Sequence, residues 1–441
     1  MRRFAIIFAL FALLSCTAEQ SYSVRMLESE MKRCPEAADL DGMGGRLKWN
    51  YTTGLELLSF LDAAYPSATG KGPVSDPQGA DCTGIARPKA GCQTGKRQAR
   101  VPQGEPGTGI ASPNADAHNA VLEYVDAWYD AIIREDGSVG ANYKKSNYSL
   151  DHVCPARTLF KLYELTGKEK YRACMDSIYA QVCSQPRTEA GAFWHKKIYP
   201  YQVWLDGLYM GSPFYAEYSA TRLNSTHEKY VNFDDIADQF RIAYSKCYDY
   251  STGLLRHAWD ETGSMFWADP YTGRSAHSWG RAMGWYVMAL VDVLDWVPAD
   301  HPARPDLLGI LHGILETLPR YADKETLMWY QVLDCPGREG NYIESTCSAM
   351  FTYAYLKAVE KGYEPQYAKY AKRLYRNLVK TFIREEADGT ITLTQCCAVA
   401  GLGGKENRSG DYEYYIHEKI TENDPKGVGP FIWASLIYER I

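Results

Sequence analysis

Three polar stretches set among aromatic rings hold the side chains of this chain that could do acid–base chemistry. The first, Tyr148 to Phe160 (YSLDHVCPARTLF), places Asp151 just ahead of a helical pattern with Pro155 in its first turn. Asp151 is either the cap of that helix or a carboxylate left free to bind a ligand. The second, Phe193 to Tyr218 (FWHKKIYPYQVWLDGLYMGSPFYAEY), sets Asp206 among Trp204, Leu205, Leu208, Tyr209 and Met210. An apolar surround disfavours the ionised form, which predicts a pKa raised toward neutrality and a proton that Asp206 could donate. The alternative is an ordinary capping or ion-paired aspartate. The third runs from Gly253 to Leu294; in it Arg281 and Trp285 are four apart on one helical face, with Trp279 just ahead. A cation at a helix N-terminus opposes the dipole, so Arg281 is expected to face an anion, either a carboxylate-bearing ligand or an internal partner. Core packing is the plain reading of both tryptophans. His195 and His257 fall in the second and third stretches and are either structural or catalytic.

Other chemistries lack their motifs. No G-x-S-x-G elbow, H-E-x-x-H, P-loop or strand-nested G-x-G-x-x-G occurs, and Gly401-Leu402-Gly403-Gly404 has no strand and helix around it to make a nucleotide loop. No metal and no cofactor is expected.

The elements that must position these residues are helices. Apolar residues recur at helical spacing through most of the chain, and alternating runs are few and short. Helices are predicted over 52–64, 117–134, 152–165, 168–183, 202–221, 233–247, 280–295, 305–321, 344–360, 365–383 and 428–440. About twelve helices of ordinary length would use the chain as six helical hairpins closed into a ring, an all-α (α/α)6 toroid. Ala282 to Leu294 (AMGWYVMALVDVL) is apolar on nearly every face and reads as an inner helix. Residues 365–383 carry Lys369, Lys372 and Arg376 on a basic face and read as an outer one. No Ser/Pro-rich linker divides the chain, so residues 16–441 read as a single domain. Residues 66–115, dense in Gly and Pro with Lys96, Arg97 and Arg100, form a long loop.

With 46% hydrophobic residues, 441 residues can bury a large core, which excludes a disordered chain. A formal charge of −6 offers no basic field for phosphate backbones, so nucleic acid is not expected as a partner. Residues 1–15 carry two arginines and a short apolar run, the pattern of an export signal. Leu13-Leu14-Ser15-Cys16 resembles a bacterial lipoprotein box, which implies lipidation at Cys16 and an outer-membrane anchor, with the body periplasmic or surface-exposed. The membrane is then met only through the lipid, and a monomer is expected. The twelve cysteines include no C-x-x-C pair. Most read as small buried side chains, with Cys82 and Cys92 the candidate bridge.

The ordered series DHV at Asp151, FWHK at His195, WLDGLYM at Asp206, RHAWDE at His257, WADPYTG at Trp267, SWGRAMGWY at Trp279, YQVLD at Tyr330, NYIESTCSAMF at Asn341 and KGVGPF at Lys426 resembles the unsaturated rhamnogalacturonyl hydrolases of glycoside hydrolase family 105. The resemblance implies a six-hairpin toroid in which Asp206 is the general acid/base and Asp151 holds the hydroxyls of an unsaturated uronate. It places His195, His257, Trp279, Arg281 and Trp285 along the sugar pocket and Tyr51 at its rim. The chain departs in its long loop, in Ala156 where a glycine is common, and in its cysteines.

The implied reaction hydrates an enol ether and needs one carboxyl where ordinary glycoside hydrolysis uses two. The substrate would be an anionic oligosaccharide left by a lyase, foremost a pectin rhamnogalacturonan fragment. The same chemistry on ulvan, arabinogalactan or glycosaminoglycan fragments is the related alternative, and a noncatalytic sugar-binding lipoprotein the distant one.

Overall fold

Every residue from Gly280 to Val293 is buried, as a helix without a polar face must be if it is to stand in a soluble fold. In the computed structural model, which describes residues 20–66 and 115–441, that helix is one of six forming an inner ring. The chain alternates outer and inner helices: α1 (Tyr22–Arg33) then α2 (Tyr51–Ala64), and α3 (Ala115–Ile132) then α4 (Thr158–Thr166). Next come α5 (Glu169–Cys183) with α6 (Leu205–Arg222), and α7 (Thr226–Cys247) with α8 (Gly280–Val293). The last two pairs are α9 (Arg304–Thr317) with α10 (Ser345–Glu360), and α11 (Ala368–Phe382) with α13 (Pro425–Arg440), the short α12 (Tyr412–Ile416) lying between them.

Helix α2 packs on the 3₁₀ turn Cys154–Arg157 that leads into α4, that turn on α6, α6 on α8, α8 on α10, α10 on α13, and α13 back on α2. The ring therefore closes as the expected (α/α)6 toroid. Close approach is built in: a Cβ at Gly54 would stand 2.7 Å from Cα of Pro155, and one at Gly284 2.5 Å from Sδ of Met350. Outside the ring, α11 buries Ala371, Leu374, Tyr375, Leu378 and Phe382 and exposes Lys369 and Arg376. Lys372 is half-buried, its ammonium reaching the carbonyl of Ile441.

Three differences from the predicted elements have physical reasons. Helix α1 was absent from the periodic pattern because it is polar along most of its length and buries only Ser23, Met26, Leu27, Ser29 and Glu30. The helix predicted over 152–165 begins as two 3₁₀ turns, Leu150–His152 and Cys154–Arg157, in a stretch interrupted by Pro155. The segment from 202 opens as a strand, β1 (Gln202–Trp204), paired antiparallel with β2 (Ala258–Asp260), before α6 starts. Two further two-stranded ribbons, β3 (Ile383–Glu385) with β4 (Ile391–Leu393) and β5 (Cys396–Cys397) with β6 (Ile420–Thr421), lie near the C-terminus.

The nine cysteines among the described residues are all free, and six are buried. Cys16, the pair Cys82 and Cys92, and residues 67–114 lie outside the described residues. No helix among the described residues is long and apolar enough to cross a membrane.

Candidate active site

Because each hairpin runs outer then inner, the six inner helices are parallel and their N-termini gather at one end of the ring. That end holds the residues singled out in the sequence. Tyr51 opens α2, Asp151 lies in the 3₁₀ turn ahead of α4, Asp206 is the second residue of α6, and Trp279 and Arg281 flank the first residue of α8. Six helix N-termini pointing one way give a positive field that favours an anionic ligand.

Asp151 is not a helix cap, since neither following turn takes a side-chain cap from it. One of its oxygens pairs with the ammonium of Lys196, and the other stands 3.4 Å from Nε2 of His195. Burial pushes its carboxyl up, but Lys196 and His195 outweigh that and hold it below the ordinary range. Lys196 was within the FWHK motif yet carried no sign of its role, because its partner lies 45 positions earlier in the chain. The ring of His195 stacks on Trp204 at 4.8 Å and 9°, and Trp204 stacks in turn on Tyr199 at 5.0 Å. Burial drives the His195 imidazole down to about 4, so it is neutral at physiological pH.

Oδ2 of Asp206 is buried and faces Nε2 of His257 at 3.2 Å. The expectation of a raised pKa fails here. Burial does push the carboxyl up, but the imidazole of His257, with that of His195 behind it, outweighs burial, and the net shift is downward. The apolar neighbours in sequence could not reveal this, because the deciding partner comes from the loop leading into β2. His257 is itself fully buried, and its Nδ1 lies 2.7 Å from the hydroxyl of Tyr415 on α12.

Arg281 is 2% exposed, and no carboxylate among the described residues lies within 4.0 Å of it. Its Nη1 donates to the carbonyl of Cys397, its Nε has no partner, and its guanidinium lies 4.6 Å from the ring centre of Trp279. A direct internal ion pair is thus absent among the described residues, with Asp424 and Glu344 acting on the guanidinium only from farther away, and this buried cation stands at the end of the ring where Asp206 does. Glu344, a fully buried cap of α10, accepts from the amides of Cys347 at 2.7 Å and Cys397 at 2.8 Å, which fixes the strand whose carbonyl receives Arg281.

Both tryptophans are covered by protein, in keeping with their plain reading as core residues. Trp279 has Arg281 on one side and Tyr415 stacked at 5.9 Å, while its Nε1 donates to Gln331 at 3.1 Å. Trp285 is fully buried between Tyr209 at 4.8 Å and Tyr51 at 6.2 Å, so it packs behind Tyr51. Tyr51 is half-buried, and its phenol is within the field of Asp151, Asp206 and Arg281. Lys196, Gln331, Glu344 and Tyr415 complete the arrangement and were not among the residues picked out by type and spacing.

Among the described residues one cluster has the donor types of a metal site: atoms of His277, Asp334 and Cys335 lie within 4.8 Å of one another. Oδ2 of Asp334 already accepts from Arg256 at 2.5 Å, so a cation is in place there and a metal ion would be repelled.

A family model described as Glycosyl Hydrolase Family 88 matches residues 113–441. The structure is similar to that of a family 105 glycoside hydrolase from C. acetobutylicum ATCC 824, with 37% identity, a TM-score of 0.79, and coverage of 96% of this chain and 100% of that one. An unsaturated glucuronyl hydrolase from Bacillus sp. GL1, described as responsible for the degradation of glycosaminoglycan, shares the fold at a TM-score of 0.57 with 10% identity over 95% of each chain. A 24.9 kDa protein in the picA locus of Rhizobium radiobacter is 36% identical over 235 residues, 51% of this chain and 96% of that protein.

Proposed function

Since this chain belongs to glycoside hydrolase family 105, we propose that it removes the 4,5-unsaturated uronic acid from the non-reducing end of lyase-generated oligosaccharides, with unsaturated rhamnogalacturonan fragments of pectin as its substrate. One observation carries the reading: a carboxyl backed by an imidazole and a buried guanidinium with no carboxylate within 4.0 Å among the described residues stand at neighbouring N-termini of one helical ring. The guanidinium takes the carboxylate of the uronate, because an ion so placed is stabilised most by a partner that arrives with the ligand.

The same arrival supplies the proton. In the free protein Asp206 is held ionised. A bound uronate excludes water from the carboxyl and adds a second negative charge nearby, and both effects favour the neutral acid. Protonated Asp206 gives its hydrogen to C4 of the enol ether, which leaves positive charge at C5 shared with the ring oxygen. Water adds to C5 and returns a proton to the Asp206 carboxylate. The resulting hemiketal opens and expels the neighbouring sugar, so one carboxyl completes the cycle. Asp151, held by Lys196 and His195, accepts from the sugar hydroxyls, and Tyr51 with Trp285 behind it closes one side.

The purified protein should bleach the ultraviolet absorbance of an unsaturated rhamnogalacturonan disaccharide, and Asp206→Asn should abolish bleaching while retaining binding. Bleaching at an undiminished rate in that variant would remove Asp206 from the mechanism.

A further inference from the structure

The carboxyl of Asp206 is only as well placed as the imidazole beside it, and an imidazole has two nitrogens to present. His257 turns Nε2 to Asp206 and Nδ1 to Tyr415. Tyr415 is fully buried, and burial drives its phenol well above the ordinary value, so it keeps its hydrogen. The sole hydrogen-bond partner of that hydroxyl among the described residues is Nδ1 of His257, 2.7 Å away. A buried hydroxyl proton that must be placed goes to the one acceptor within reach.

We propose that Tyr415 is a positioning residue for Asp206: its hydroxyl donates to Nδ1 of His257 and fixes the ring proton on Nε2, the nitrogen that faces the carboxylate. Resting on the hydrolase reading above, this assigns the C-terminal segment a part in the reaction. Nε2–H then faces Oδ2 across 3.2 Å, an electrostatic contact whose two atoms have no other partner among the described residues, and leaves Oδ1 as the oxygen that exchanges a proton with the substrate. The phenol is itself held on two sides. Its ring stacks on Trp279, and Nε2 of Gln331 reaches the Tyr415 carbonyl at 3.3 Å while Oε1 of the same side chain accepts from Trp279. Gln331 thereby ties the anion-binding Arg281–Trp279 pair to the group that sets the histidine.

The titratable groups facing this pair come from several elements. His195 and Lys196 precede β1, Tyr51 opens α2, Asp151 stands beyond His195, and Tyr415 on α12 has Tyr414 beside it, Asp334 ahead of α10 and Cys397 on β5. None but Tyr415 touches Nδ1 of His257 among the described residues. In Tyr415→Phe the ring loses one of the two groups that keep the proton on Nε2, the Asp206 carboxylate being the other. Nδ1–H becomes accessible, a bare Nε2 can face the carboxylate, and Asp206 holds its proton to higher pH.

Two measurements test this. Nitrogen NMR of histidine-labelled protein, with the His257 signals assigned by their loss in His257→Asn, should show the Nε2–H tautomer in the native chain and a mixture in Tyr415→Phe. An Nδ1–H tautomer in the native chain overturns the proposal without touching the hydrolase reading. With unsaturated disaccharide, Tyr415→Phe should lower kcat about 10-fold, leave KM within about twofold, and move the alkaline limb of the kcat profile up by roughly one pH unit. A fall in kcat with an unmoved alkaline limb marks a merely structural tyrosine and overturns the proposal.

Discussion

Replacing Arg281 by methionine should separate a ligand-binding cation from a structural one. The guanidinium is 2% exposed, donates to one backbone carbonyl, stacks on Trp279 and has no carboxylate partner within 4.0 Å among the described residues. Removing it forfeits that charge-assisted hydrogen bond, about 1.5–3 kcal/mol, and the cation–π contact, about 1 kcal/mol, and offsets most of this by relieving a buried charge. Methionine retains a chain that packs on the indole, so the folding free energy should change by less than about 2 kcal/mol. A broken buried ion pair would instead cost about 3–5 kcal/mol. Binding answers differently. A hydrogen-bonded contact to a charged group contributes about 1.5–3 kcal/mol, so kcat/KM for the unsaturated disaccharide should fall about 10- to 150-fold. The assay is bleaching of the free acid and of its methyl ester by both proteins, alongside urea denaturation. The native protein should discriminate against the ester by a factor of that size, and Arg281→Met should treat acid and ester alike. Equal discrimination in both proteins, or a stability loss near that of a broken ion pair, would refute the assignment of Arg281 to the substrate carboxylate.

Further outcomes follow from other side chains. Asp292 is buried between Arg157 at 3.0 Å and Lys357 at 2.7 Å, so Asp292→Ala strands Arg157 and leaves Lys357 with Asp295 alone, and should cost about 3–5 kcal/mol in urea denaturation; a loss below about 1 kcal/mol would contradict this. The carboxyl of Asp151 lies below its unfolded value, so its stabilisation is present above about pH 4 and is lost as pH falls through the folded value. Asp151→Asn should therefore lose less stability than the native protein between about pH 5 and 3, and parallel denaturation curves would count against the Lys196–Asp151 pair. If Cys16 carries a lipid, Cys16→Ser should move the protein from the membrane fraction to the soluble one, and unchanged fractionation would exclude the anchor.

What could be read before folding depended on how far apart the deciding groups lie in the chain. The inner position of α8 was legible because its apolarity is a local property, and so was the outer position of α11 with its single basic face. Helix α1 was not legible: its buried side is short, and its place is secured by remote contacts such as Ser23 with Glu439, 416 positions away. Asp206 and Arg281 were singled out by type and by motif. Their electrostatics were not, since apolar neighbours of Asp206 along the chain forecast a raised pKa, whereas His257, 51 positions later, lowers it. Tyr415 left no trace in the pattern because it meets His257 across 158 positions.

The opposite end of the ring, where the inner helices finish, has a different character. A cavity of about 610 Å³ opens there, lined by Asp62, Arg157, Glu217, Asp292 and Lys357 among others. Lys357 bonds Asp292 and Asp295 at 2.7 Å each, Arg157 joins Asp292, and Lys161 joins Asp62, so neighbouring staves are riveted together by charge. A barrel fastened at its base can have its mouth recut. Loops between staves at the end that carries Asp206 and Arg281 can change length without loosening the fold, because the hoop that keeps the staves in register is elsewhere.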